Sequence, residues 1–448
     1  MDPTTRAAGV LLHPTSLPGP AAHGRLGSAA DAFAEALAGA GFRWWQMLPV
    51  GPVDRMGSPY QSASAFAGRP GFLDPSGPAP EAGDRDRFRA ENAFWLDDWT
   101  LFTVLRRHYR RPWPEWPAAL RDRDASALAA ARRDLAGEID AAEGIQWRFD
   151  VQWHRLKARA NALGVGLIGD LPFYCALDSA DVWAQRDWFA VDALGHVTAA
   201  AGVPPDAFAA RGQFWGHPLH DWDAQAASGW QWWVERVRTQ ARRFDLLRID
   251  HFRALVAAWS IPPAEQDARN GHWTPGPGRA PFDAIAARLG SLPLIAEDLG
   301  TITPDVETLR CELGLPGMRV LQFAFDGGDD NPHRPHNHTA DTVVYTGTHD
   351  NDTSLGWWHD LAGEVRARVK AELGTDGHDM PAPLIDAALQ SPARIAILPL
   401  QDLLGLGSEA RMNVPGTEAG NWQWRYREGD LERAFNRAIR QRLHRCGR

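Results

Sequence analysis

A short apolar run closed by polar residues, Pro or Gly recurs eight times along the chain. The runs are 9–13 (GVLLH), 43–48 (RWWQML), 165–171 (VGLIGDL), 245–250 (DLLRID), 293–299 (PLIAEDL), 318–323 (MRVLQF), 342–346 (TVVYT) and 394–400 (RIAILPL). Continuous apolar runs of this length predict parallel strands buried on both faces. Segments with helical spacing of apolar residues precede several of them: 29–40, 149–163, 230–244, 282–289 and 304–313, the last with Thr303 at its N-cap. Eight strands alternating with helices predict an α/β chain folded as a (β/α)8 TIM barrel.

The spacing of the runs is uneven. More than a hundred residues separate the second from the third, and about seventy separate the third from the fourth, whereas a barrel repeat needs about 30. The surplus predicts insertions on the C-terminal face, where barrel enzymes keep their active sites. A lid subdomain is expected over about 51–150. A second insertion is expected over about 172–230, including a substrate-covering loop at 202–222 that is rich in Gly, Pro, Phe and Trp. The rest of the 448 residues belongs to one catalytic barrel, with no room after the eighth run for a separate C-terminal β-domain.

Composition narrows the partners. A net charge of −9 argues against nucleic acid and against an anionic membrane. No run of about 18 apolar residues is present, and the first ten residues lack a basic stretch leading into an apolar one. Cys175, Cys311 and Cys446 are too few and too scattered for a disulfide framework, which fits a reducing, cytoplasmic setting. The 21 Trp against 5 Tyr are unusual, and a flat indole face suits stacking on rings. The tract HRPHNH, with His333, His336 and His338, lies in a polar loop without a closing ligand, so no metal or other cofactor is expected.

The chemistry gathers at strand ends. Asp250 closes the fourth run (RIDHF), Glu297 follows the fifth (AEDLG) and Asp350 follows the seventh (THDND). In a barrel all three reach the same mouth, and strands four and five are neighbours. Two carboxyls about 5–5.5 Å apart suit a retaining glycosidase mechanism, one as nucleophile and one as acid/base. Arg248 shares a strand face with Asp250 and would keep it ionised. His251 and His349 flank the acids and could hydrogen-bond sugar hydroxyls. A single acid at a strand end can equally cap the next helix. Three on one face, each with a cationic neighbour, favour catalysis.

RIDHFRAL, IAEDLG and YTGTHDNDT resemble the nucleophile, acid/base and stabiliser segments of the amylomaltases, the 4-α-glucanotransferases of glycoside hydrolase family 77. LLHPTSLPGP, SPYQSASAFAG, FWLDDW, GDLPFYCALDSADVW, GVPPDAFAARGQFWGHPLHDW, RMNVPGT and NWQWR match in order over nearly the whole chain. The resemblance implies transfer of α-1,4-glucan segments between malto-oligosaccharides, which serve as donor and acceptor. It implies that Asp250 attacks C1, that Glu297 is the acid/base, and that Asp350 holds the 2- and 3-hydroxyls of the reacting sugar. It also implies substrate contacts at Tyr60, Asp170, Arg248, His251, His349, Gln213, Trp215, Trp99 and His13. Trp95 is a further candidate platform. The chain departs from the family at Ala207 and Ala210 of the loop, at Trp99 where Tyr is usual, and at Ala21–Ala22–His23. These changes spare the acids and predict a larger hydrolytic share. The competing readings are an α-glucan hydrolase on the same site and a catalytically silent glucan-binding protein.

Overall fold

The computed structural model describes residues 2–205, 209–417 and 419–448. Its strands are β1 (Ala7–Leu11), β2 (Trp44–Gln46), β3 (Gly166–Leu171), β4 (Ala200–Val203), β5 (Gln213–Pro218), β6 (Leu246–Ile249), β7 (Ala257–Ile261), β8 (His272–Pro275), β9 (Leu294–Ala296), β10 (Gly317–Val320), β11 (Thr342–Tyr345) and β12 (Ile395–Pro399). The eight apolar runs of the sequence are β1, β2, β3, β6, β9, β10, β11 and β12. They form one parallel sheet in the order β10–β11–β12–β1–β2–β3–β6–β9. The sheet curls until Ala296 at the end of β9 donates its N–H to Pro316, just before β10, at 3.0 Å. The result is a nearly closed (β/α)8 barrel.

Strand alternation sorts the side chains into two layers. Leu11, Trp44, Ile168, Leu246, Ile295, Met318, Tyr345 and Ile397 pack together inside the barrel. Their neighbours Val10, Trp45, Leu167, Leu247, Ala296 and Val344 face the surrounding helices. Gly9 makes room for the interior indole. A Cβ there would lie 2.6 Å from Cβ and 2.8 Å from the carbonyl oxygen of Trp44, so no side chain fits.

The expected helices form at Ser28–Ala40, Ala136–Ala162, Gln231–Arg243, Ala280–Leu289 and Pro304–Glu312. Two details differ from expectation. Thr303 precedes the last helix without capping it through its side chain, because its hydroxyl is turned to Asp305. The helix before β3 starts at Ala136 rather than near 149. Its buried stripe runs Ala142, Gln146, Phe149, Trp153, Leu156, Ala160, a helical period that the polar Gln146 hides in the sequence. Gln146 faces inward because its amide bonds both ways to the Gly68 backbone, at 2.8 and 3.0 Å.

A four-stranded antiparallel sheet, β5–β4–β7–β8, stands beside the barrel. Its strands β4 and β5 take in residues 202–203 and 213–218 of the segment expected as the covering loop. The central strand β4 pairs with β7, a partner more than fifty residues away, and no local pattern announces that pairing. Further helices fill the segment between β2 and β3. No helix among the described residues is long and apolar enough to cross a membrane.

Candidate active site

The inward parity of the barrel carries its polar layer. Asp170 on β3 lies in register with Arg248 on β6, and Arg248 with Ile295 on β9. Two residues beyond Arg248 and Ile295 come Asp250 and Glu297. Four side chains that the sequence spreads over 128 positions therefore meet at one rim. Arg248 Nη1 lies 2.7 Å from Asp170 Oδ1 and 3.0 Å from Asp250 Oδ1. Tyr60 donates its hydroxyl to Asp170 Oδ2 at 2.7 Å. The Tyr60 ring stacks on His349 with centroids 5.3 Å apart and planes 11° apart. His349 leads into Asp350, whose Oδ1 accepts from Asn413 Nδ2 at 2.6 Å and whose carbonyl accepts from Arg411 at 2.7 Å.

His251 takes a left-handed backbone conformation, φ 50°, which a non-glycine residue adopts only under constraint. That turn aims its N–H at Glu297 Oε2, 2.6 Å away, while Leu299 N–H donates to Oε1 at 2.9 Å. Both oxygens of Glu297 are thus held by the backbone on either side of it.

Charge is out of balance at the rim. The Arg248 guanidinium faces Asp170, Asp250 and Glu297, and Asp350 lies near enough to act on Asp250. Burial raises the Asp250 carboxyl; Arg248 pulls it down, and the other three acids push it further up. Glu297 is also raised, first by burial, against the pull of Arg248 and its two backbone donors. Arg248, 3.0 Å from Asp250, favours its ionised form as the shared strand face implies, but the cation is shared with Asp170, and burial works against it at Asp250 and Glu297.

The profile of the 4-alpha-glucanotransferase family matches residues 12–79 and 77–430. The chain belongs to this family. The 4-alpha-glucanotransferase of Thermus thermophilus is 44% identical, the match covering 95% of this chain and 96% of that one. The enzyme of the same name from Synechocystis is 40% identical, with 95% of each covered. In a solved structure, the amylomaltase from Streptococcus agalactiae in complex with acarbose, the fold superposes with a TM-score of 0.92 at 33% identity, covering 99% of both chains. The protein is accordingly a transferase of carbohydrate metabolism, a 4-α-glucanotransferase by activity.

The remaining candidates of this glucanotransferase divide. Trp215 stands edge-on to His251, with centroids 4.9 Å apart, and donates its N–H to Gln213 at 3.1 Å. His13 lies beside His349 in a hollow under the ends of β1, β11 and β12, and neither ring nitrogen has a hydrogen-bond partner among the described residues. Trp99 and Trp95 do not reach the mouth. Trp99 is 5% exposed, packed on Phe102 inside the inserted helices, and Trp95 bonds Asn92 in the same core. Both expectations fail because their helix turns those indoles inward. Ala210 sits in the turn before β5, and Ala207 lies outside the described residues. His333 and His338 are engaged structurally: His333 Nδ1 accepts the Val320 N–H at 3.1 Å, and His338 bonds Ser391 at 2.8 Å. Replacing Trp99 by Ala should therefore cost about 3–5 kcal/mol of stability and leave KM unchanged in folded enzyme. Trp215→Ala should raise KM about tenfold with little change in the denaturant midpoint. Urea melts and initial rates on maltotriose separate the two.

Three site residues escaped the sequence reading. Trp422, with φ 64°, lies 6.1 Å from the Tyr60 ring and 6.0 Å from His349. Asn413 holds Asp350, and Tyr174 borders His251 at 6.1 Å. The motifs RMNVPGT, NWQWR and GDLPFY contain all three, but only the return of the chain over the mouth after β12 shows what Asn413 and Trp422 touch.

Several buried imidazoles stay neutral. Gln225 Nε2 donates to His220 Nδ1 at 2.8 Å, so the Nε2–H of His220 donates to Phe173 O at 3.1 Å. Burial depresses His220 to about 3, His217 to about 4 and His251 to about 3. The unfolded chain takes up these protons near pH 6.5 while the native state does not. Their contribution to stability is present above pH 6.5 and is lost as pH falls toward 4. Thermal midpoints should drop steeply over that interval, by on the order of 1 kcal/mol per pH unit for each imidazole. A flat profile between pH 6.5 and 4 would count against buried neutral histidines.

Proposed function

We propose that this glucanotransferase works by a retaining double displacement at Asp250, Glu297 and Asp350, with malto-oligosaccharides and other α-1,4-glucans as donor and acceptor. Asp250 attacks C1 of the donor sugar. The C1–O4 bond breaks, and the Glu297 proton goes to the leaving O4. A covalent β-glycosyl ester on Asp250 results. The acceptor 4-hydroxyl then gives its proton to Glu297 and attacks C1, and the ester bond breaks. One α-1,4 bond is consumed and one formed. Asp350 binds the 2- and 3-hydroxyls and favours the flattened, cationic sugar.

The observation that carries this reading is the meeting of Asp250 and Glu297 at one rim, with the Arg248 guanidinium 3.0 Å from Asp250 and not in hydrogen-bond contact with Glu297. Retaining chemistry needs one carboxyl ionised and one protonated at the same time, and a cation beside Asp250 together with burial that raises Glu297 favours that division. Tyr60, Asp170, Arg248 and His349 hold the acids in place. His251 Nε2 and both nitrogens of His13 are buried polar atoms without protein partners among the described residues, which sugar hydroxyls would satisfy.

The inserted helices of about 51–150 act as a lid, and the segment 202–222, now seen as part of a small sheet, covers the acceptor side with Gln213 and Trp215. Water competes with the acceptor for C1, so the cover decides transfer against hydrolysis. Three free cysteines suit a reducing, cytoplasmic setting. Maltotriose digests followed by thin-layer chromatography test the reading. A ladder of longer products plus glucose, with constant reducing ends, means transfer. Steadily rising reducing ends mean that the alanines at 207 and 210 let water in. Binding without turnover would leave only a silent glucan-binding protein.

A further inference from the structure

Tyr174 is a buried phenol with no hydrogen-bond partner for its hydroxyl among the described residues. Such a group costs about 1–3 kcal/mol when left unpaired, so its retention asks for a reason. The ring cannot turn away to find a partner. It is stacked on His220 (5.9 Å, 17°) and His217 (6.3 Å, 16°), and Phe173 abuts it at 5.0 Å. Its other neighbours are His251 and Trp215, each at 6.1 Å, beside the Asp250 rim. Tyr174 also borders a hollow that Tyr60 and Asp170 line. Elsewhere the hollow is walled by Pro49, Val50, Ala65 and Pro172 and by the polar Ser62, Ser64, Arg236 and Gln240, a mixed surface that suits a small CH-bearing group with a polar end.

The position of Tyr174 around the barrel adds the direction. It follows β3, whereas Asp350 follows β11. In the strand order those two are four steps apart either way, so they face each other across the mouth. A pyranose ring carries its 2- and 3-hydroxyls on one edge and its hydroxymethyl group on the opposite edge. With Asp350 on the first edge, Tyr174 meets the second.

We propose that Tyr174 is a specificity-determining residue whose hydroxyl binds the 6-oxygen of the reacting glucosyl unit, the hydroxymethyl group entering the hollow beside Tyr60 and Asp170. The assignment rests on the Asp350 role proposed above. It makes the enzyme select hexosyl donors with a free 6-hydroxyl, because an analogue lacking that oxygen leaves the phenol buried and unpaired.

The test compares wild type with Tyr174→Phe, which keeps the ring stack and removes one oxygen. Two donors are used with glucose as acceptor: α-maltosyl fluoride and its analogue with 6-deoxyglucose as the reacting unit. Wild type should prefer the natural donor by about tenfold or more in kcat/KM. Tyr174→Phe should lose about tenfold on the natural donor, match wild type on the 6-deoxy donor, and melt at the same temperature or higher. A wild type indifferent to the 6-oxygen overturns the proposal, as does a variant that keeps the wild-type preference. Equal losses on both donors with a lower melting temperature would make Tyr174 a packing residue. A wild type that transfers from neither donor overturns the double-displacement reading itself, and this assignment with it.

Discussion

Asp250→Asn should lower transfer from maltotriose by a factor of about 10⁴–10⁶ while making the protein more stable. The amide is no nucleophile, and what remains is binding and electrostatic help from a site that cannot form the glycosyl ester. The gain in stability comes from charge. Asp250 is an acid at 3.0 Å from a guanidinium that Asp170 also claims, and three other carboxylates push on it. A carboxyl raised in the folded state stabilises below its unfolded pKa, near 4, and loses that contribution as pH rises through the higher folded value. The advantage of the Asn variant should therefore be absent near pH 4 and reach about 1–2 kcal/mol above neutrality. Transfer rates and urea melts at several pH values check both parts. Near-normal activity would remove Asp250 as nucleophile. A stability difference independent of pH would remove the account of the charge imbalance.

Arg248→Met should cost the fold more stability than Asp250→Asn, which stabilises it. Arg248 is buried and supplies the cation to both Asp170 and Asp250. Its removal leaves two acids without a counter-charge, at a cost of about 3–5 kcal/mol. The acids respond by holding their protons to higher pH. At neutral pH the nucleophile is then mostly protonated, and activity should fall by about 10³-fold or more. The pH dependence separates this from simple misfolding. Stability of the variant should decline as pH rises, since the folded acids bind protons more tightly than the unfolded ones. Its residual activity should climb over the same interval, as Asp250 ionises. A residual activity that follows stability downward with pH would contradict the role given to Arg248.

Much of this architecture is legible in local pattern. All eight barrel strands show as apolar runs, because a strand buried on both faces is apolar at most positions, the polar exceptions Asp170 and Arg248 lying toward the rim. Parity then carries Asp250 and Arg248 to the same side of one strand, and strand ends carry the acids to one mouth. Local pattern fails where a polar residue faces inward. Gln146 masks a helical period because its amide is used by the Gly68 backbone. It also fails where pairing is distant. β4 is held by β7, and the chain returns after β12 to lay Asn413 and Trp422 over the mouth. The indoles show the same limit. Trp99 and Trp215 are alike as letters, yet one is sealed among helices and the other stands against His251.

The chain's own order of residues suffices for the eight-stranded barrel and the three acids at its mouth, since these follow from periodicity and from chemistry confined to strand ends; glucan transfer is read from the resemblance of its motifs to the 4-α-glucanotransferases. Packing alone settles which aromatic rings face sugar and how one arginine is divided between two aspartates. It also leaves Tyr174 and His13 without a hydrogen-bond partner among the described residues. Those properties depend on what lies across the barrel from a residue, and distance through space leaves no trace in the spacing along the chain.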